Sequence, residues 1–341
     1  MTAETPNTTG AGDGPTRTTT VPGGPSGAPD GPARGPAKVP AATAIRKSFS
    51  SPWASFLVIA LTVLWTIPTV GLFITSLRPA QDATTTGWWT VFTHPTFTLN
   101  NYKEVALNGG YGVTTGMTTY FVNSLVISVP ATLFSLAIAA MAAYALAWVR
   151  FKGSDVLFFT IFALQVVPLQ MALVPLLSLF SQGWQVGGLT LIPQLHLAGT
   201  YYSVWIAHTM FAMPLAIFLI HNFIAQLPRE VMESATVDGA SHFLIFRKIV
   251  LPLSTPAIAS FAIFEFLWVW NDLLVGLTFL SGGSPTVFPI TARLSQMAGS
   301  YGSHWDLLTA GAFIAIIMPL IVFFSLQRFF VRGLLAGSVK G

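Results

Sequence analysis

Between Asp155 and Arg229 the chain runs for 73 residues without a lysine, arginine, aspartate or glutamate. A helix crosses the hydrocarbon core of a bilayer in roughly 20 apolar residues. The stretch is too long for one crossing, and the polar, glycine-rich segment SQGWQVGG (Ser181–Gly188) divides it in two. The composition agrees: of 341 residues, 53% are hydrophobic and 8% charged, where a soluble domain carries about a quarter charged residues. Lipid is therefore the solvent for most of this chain. Cysteine is absent, which excludes disulfide frameworks and thiolate metal sites. The net charge of +4 is small and tied to residues flanking the apolar runs, which argues against a nucleic-acid partner.

The apolar runs predict an all-α, polytopic membrane protein with six spans, near Trp53–Leu77, Tyr120–Trp148, Val156–Phe180, Tyr201–Ile224, Pro252–Leu274 and Leu307–Leu326. The first fifty residues hold eight prolines, eight glycines and nine threonines. Such a segment buries too little apolar surface to offset its ordering entropy. Residues 1–48 are thus expected to be a disordered tail, and 49–341 the six-span domain. The first apolar run begins too late, and is too long, for a cleaved signal peptide. An even number of spans puts both termini on one side. Thirteen of the sixteen lysines and arginines fall on that side, with Arg78, Lys103 and Arg293 opposite. The positive-inside rule makes the termini cytoplasmic, in a multi-pass protein of the cell membrane.

One loop stands out on the cytoplasmic side so defined. Residues 228–252, between spans four and five, hold a cluster of charges in a chain that has few. Pro228, Arg229 and Glu230 read as a helix start, with Glu230 and Glu233 near the positive end of its dipole. Helical spacing aligns Glu230, Glu233, Ser234 and Val237 on one side. Gly239 ends or hinges this helix. Ser241 can cap a second one, HFLIFRKIV, whose Phe243, Phe246, Ile249 and Val250 form an apolar stripe. Pro252 is expected to close it and open span five.

The spacing Glu233-Ser234-Ala235, three residues, Gly239, nine residues, then Ile249-x-Leu251-Pro252 resembles the EAA motif of permease subunits in ATP-driven importers. Ser234 stands where the motif has alanine. The fuller run LPREVMESATVDGAS, the WNDLL of Trp270–Leu274 and the ending FFVRGLLAGSVKG resemble the maltose-type, carbohydrate branch of binding-protein-dependent permeases. This likeness covers roughly residues 50–341. It implies that the loop docks on a separate ATPase through Glu230, Glu233, Ser234, Ala235, Asp238, Gly239, Phe243, Phe246, Ile249, Leu251 and Pro252. It implies a C-terminal contact to the same partner through Val339, Lys340 and Gly341. It also implies a second homologous permease subunit, two ATPase subunits, an extracytoplasmic sugar-binding protein and a sugar substrate. The sequence has no G-x-x-x-x-G-K-[ST] phosphate loop, so this chain is expected to be a transport subunit and no enzyme. ATP and Mg belong to the partner, and no cofactor or metal is expected here.

Polar side chains within spans are costly and face protein or water rather than lipid. Candidates for the transport path are Asn123 in span two, Gln165 and Gln170 in span three, His208 in span four, and Glu265, Asn271 and Asp272 in span five. Each amide or imidazole equally suits an interhelical hydrogen bond. Trp268 and Trp270 flank the span-five group and suit either a sugar face or simple packing. Pro168, Pro175 and Pro214 are placed to kink spans three and four. Two other readings stay open at this point: an importer permease for a non-sugar solute, and an ion-coupled carrier, which predicts inverted repeats.

Overall fold

The structure is a computed structural model that describes residues 52–109, 115–149, 151–300 and 304–338. The expected tail, residues 1–48, and the expected C-terminal contact at Val339, Lys340 and Gly341 lie outside the described residues. The chain divides into two compact units, one ending at Thr62 and one starting at Val63. Helix α1 (Pro52–Ser76) begins in the first, and all elements named below belong to the second.

Helix α2 (Met117–Trp148) is the second span. The third is broken. Helix α3 (Ser154–Ala163), extended by a 3-10 turn to Val166, meets α4 (Leu169–Gln182) at 102°. The cause is local. Val167 precedes a proline, and that position is pushed out of the helical region; its φ of −71° and ψ of 120° are extended. Pro168 has no N–H to resume the ladder. Pro175 and Pro214, by contrast, sit inside helices that run on through them.

The dividing segment is not purely irregular, a departure from the all-α expectation. Strands β1 (Trp184–Val186) and β2 (Leu189–Ile192) form a small antiparallel hairpin. Gly187 and Gly188 have φ of 58° and 84°, and two such residues make the tight turn whose twist matches paired strands.

Helix α5 (Tyr201–Ile224) occupies its expected range. The short helix α6 (Arg229–Val237) follows. Helix α7 then runs from His242 to Asn271, so span five begins ten residues before Pro252, and that proline does not open it. The reason is a wide turn at Phe246–Val250, where Leu251 N–H reaches back to the Phe246 carbonyl. A proline ring crowds the carbonyl four residues earlier; the widened turn relieves this and lets the helix continue. Helix α7 ends at Asn271, short of the expected Leu274, because Asp272 is extended and its carboxylate accepts the Gly276 N–H at 3.0 Å. It thereby caps α8 (Leu274–Leu280). Helices α9 (Ile290–Ser300) and α10 (Trp305–Ser338) complete the described chain.

Helix α2 packs on α5, and α7 packs on α2, α5 and α10. Ala139, Ala140 and Ala143 of α2 share a core with Ala212 and Ala216 of α5. Small side chains let backbones approach closely where lipid supplies no hydrophobic drive between helices. Two of the three cations assigned to the outer side are internal. Arg78, 2% exposed, donates to the Gly87 carbonyl at 3.1 Å, the Thr90 hydroxyl at 3.0 Å and Thr86. Arg293, equally buried, donates to the Gly109 carbonyl. Both guanidiniums are spent on fixing loops.

Candidate functional site

Two places carry chemistry. The first is the loop at 228–252. Helix α6 ends in a paired reverse turn: Gly239 N–H donates to Thr236 O and Ala240 N–H to Ala235 O, both at 3.0 Å. This closure needs a left-handed residue after the helix, and Gly239 has φ of 80°. A Cβ there would meet nothing within 4 Å, so backbone conformation alone requires the glycine. Ser241 then caps α7 by accepting the Leu244 N–H at 3.4 Å. Glu230, Glu233, Ser234 and Asp238 are exposed, Ala235 is half-buried, and Val237 and Phe243 project with 88% and 70% exposure.

The inner face of the loop is anchored. Met232, Ile245, Phe246 and Val250 are buried against Tyr144, Ile220 and Ile224, with Ile249 and Leu251 packed on them. Tyr144 Oη and His242 Nδ1 are 3.1 Å apart, and Trp148 Nε1 donates to Ile224 O at 3.1 Å. This corrects the stripe expected as a docking surface. Helix α7 lies against α2 and α5 from its first turns, so Phe246, Ile249, Val250 and Leu251 serve the chain's own core, and of that stripe Phe243 alone faces outward. Pro252 is exposed but lies within the helix.

The second place lies among the spans. Gln165, His208 and Glu265, singled out separately in the sequence, line one depression with Phe211, Ala212, Leu215, Phe261, Phe264 and Trp268. His208 and Glu265 are each 3% exposed. Helix α7 contributes residues 261, 264, 265 and 268, and α5 contributes 208, 211, 212 and 215; both sets follow the one-face spacing of a helix. Ser135 of α2 stands beside the Glu265 carboxyl. Gln165 comes from the end of α3, two residues before the break. His208 Nε2 stands 3.8 Å from Asp272 Oδ2, near the cap of α8 but beyond hydrogen-bond distance. An adjoining hollow of about 590 Å³ shares Gln165, Phe211 and Trp268.

The other span candidates fall elsewhere. Asn123 donates to the carbonyls of Thr286 and Phe288, at 2.5 and 3.0 Å, and accepts from Tyr201 Oη at 2.9 Å. Its amide holds a loop and is not free for a solute. Gln170 is exposed in α4, outside this lining. Asn271 donates to Leu267 O of its own helix at 2.8 Å. Trp270 is buried and donates to Ala315 O at 3.1 Å, so it packs and only Trp268 borders the depression. Sequence reasoning passed over Tyr144 and Trp148, whose signal was a polar-tipped aromatic at the end of a span.

The family described as "Binding-protein-dependent transport system inner membrane component" matches residues 135–335. The osmoprotective compounds uptake permease protein GgtD of Synechocystis sp. is 52% identical over 287 residues, 83% of this chain and 90% of that one. The alpha-glucoside transport system permease protein AglG of Rhizobium meliloti is 54% identical over 254 residues, 74% of this chain and 63% of that one. Among solved structures, a bacterial alginate ABC transporter in complex with an alginate pentasaccharide-bound periplasmic protein has a chain of similar fold. Its TM-score is 0.57 at 15% identity, covering 85% of this chain and 96% of that one.

Proposed function

We propose, for a chain that belongs to the binding-protein-dependent transport system inner membrane components, that it is the permease subunit of an ATP-driven importer of neutral sugars, of the α-glucoside kind. The observation that carries the mechanism is the continuity of helix α7. It begins in the loop, at His242, which follows the short helix bearing the exposed Glu230 and Glu233, and runs on to Asn271 among the spans. A partner that grips the loop therefore moves a transmembrane helix directly.

In this reading residues 228–252 dock on a separate ATPase, with Glu233 offering a carboxylate to a cationic partner group. Val237 and Phe243 supply the projecting apolar contact. Both termini and the loop are cytoplasmic, in keeping with the thirteen cations on that side. The C-terminal Val339, Lys340 and Gly341 reach the same ATPase. A second, different permease chain completes the pathway, with two ATPase subunits below and a sugar-loaded binding protein above. ATP-driven closure of the ATPase pair shifts the spans from inward to outward access. ATP and Mg are bound by the partner.

The sugar assignment draws on the relative named for alpha-glucosides. The relative named for osmoprotective compounds supports a second reading, import of such a compound. The experiment is the same for both. The assembled transporter is purified, placed in proteoliposomes, and its ATP hydrolysis measured with binding protein loaded with α-glucosides or with osmoprotective solutes. Stimulation by the glucosides is expected. Failure of any ATPase to co-purify would overturn the mechanism.

A further inference from the structure

We propose that Gln165, His208 and Glu265, together with Trp268, form a subsite for one uncharged pyranose ring on this subunit. The proposal rests on the reading above that the solute is a sugar.

Two polar side chains buried to 3% exposure at facing positions of α5 and α7 are expensive in a membrane bundle and call for a use. Their chemistry suits sugar hydroxyls, which both donate and accept. A carboxyl oxygen accepts, a carboxamide does both, and a neutral imidazole carries one donor and one acceptor. Trp268 is 43% exposed and borders both the polar depression and the 590 Å³ hollow. An aromatic face beside such a polar group matches a pyranose ring, whose C–H face is apolar and whose rim is polar.

The lining also says what is refused. Among the described residues, no lysine or arginine borders either space. A uronate or sugar phosphate would enter without a counter-charge, against the Glu265 carboxyl, and an unpaired buried charge is costly. The site is thus built for neutral rings.

The geometry also explains how the site opens. In this conformation the space among the polar groups is nearly closed, about 10 Å³. The ring fits in the adjoining hollow, over Trp268. Gln165 lies two residues before the Val167–Pro168 break, so a change in the bend between α3 and α4 carries Gln165 toward or away from His208 and Glu265. His208 lies on α5, which runs without such a break, and forms the other side of the clamp.

The test uses the whole transporter in proteoliposomes, with its binding protein and radiolabelled sucrose, trehalose and maltose as neutral probes and digalacturonate as the acidic one. Uptake and ATP hydrolysis are measured together for wild type, Glu265→Gln, Trp268→Leu and Gln165→Ala. We expect each variant to carry several-fold less neutral sugar per ATP hydrolysed, and Gln165→Ala about tenfold less, the scale of one lost hydrogen-bond partner, with stimulated hydrolysis retained. A purely structural role would lower uptake and hydrolysis together. Unchanged sugar per ATP in all three variants, or wild-type uptake of digalacturonate equal to that of the neutral probes, would overturn the subsite and leave the importer reading standing. No stimulation of wild type by any sugar would instead overturn the sugar reading beneath it.

Discussion

Gly239 gives the sharpest test of the loop. Its φ of 80° lies where a side chain costs about 1–2 kcal/mol, and no neighbour within 4 Å adds a steric penalty. The cost of substitution should therefore follow backbone preference and ignore size in the ordinary sense. Asparagine tolerates the left-handed region, alanine less so, and a β-branched residue least. We expect Gly239→Asn to be nearly silent and Gly239→Ala to shift the loop by about 1–2 kcal/mol toward opening. That is roughly a five- to thirtyfold rise in the open population. Gly239→Val should do more. The two 3.0 Å hydrogen bonds, Gly239 N–H to Thr236 O and Ala240 N–H to Ala235 O, are the ones at risk. Amide exchange by mass spectrometry over residues 229–250 of the membrane-inserted protein reads this directly. Uptake and ATPase co-purification read its consequence. Insertion should be unaffected, since α5 and α7 keep their packing. The reasoning is refuted if asparagine and valine accelerate exchange equally, or if valine abolishes uptake while exchange stays at the wild-type rate.

Three further outcomes are expected. Glu233→Lys reverses an exposed charge, so it should abolish ATPase co-purification without changing thermal stability of the inserted chain; retained association in a pull-down counts against docking there. Asp272→Ala should lose a cap worth about 0.5–2 kcal/mol while Asp272→Asn, itself a good cap, loses little; thermal denaturation of the purified protein orders the two. Pro168→Ala restores an N–H at the break and frees Val167 to become helical, so the 102° bend should open, seen as a longer spin-label distance between cysteines placed in α3 and α4 of this cysteine-free chain.

What the sequence made legible was the part governed by neighbours a few residues away. The end of α6 at Gly239 and the cap at Ser241 follow from local backbone chemistry, and the structure has both. The positions of apolar stretches follow from length and hydropathy. The misreadings came from longer range. Pro252 looks like a helix start by its own preference, yet the widened turn before it lets α7 pass through. Phe246 and Val250 look like a free stripe until α2 and α5 are seen covering them. Asn123 looks like a path residue, but its partners are 163 and 165 positions away, beyond any local pattern. The convergence of Gln165 with His208 and Glu265 depends on how three helices are rotated about their axes, and a single sequence leaves that rotation free.

The loop and the span site are two points on one rod. From His242 to Glu265 helix α7 advances 23 residues, about 35 Å at 1.5 Å per residue. Its start is tied to α2 through Tyr144 and to α5 through the shared core. A force on the loop cannot be absorbed where a flexible linker would absorb it, because the helix continues without a coil between dock and site. The interruptions of the helical ladder lie instead outside that segment, at Val167–Pro168 and at Asp272. Gln165 lies beside one break, and His208 faces the other at 3.8 Å. A tilt of α7 therefore moves Glu265 and Trp268 against Gln165 on a broken helix and His208 on a continuous one. In the proposed mechanism the site changes shape when the loop moves, which is the geometric requirement for spending a partner's ATP on the access of a solute.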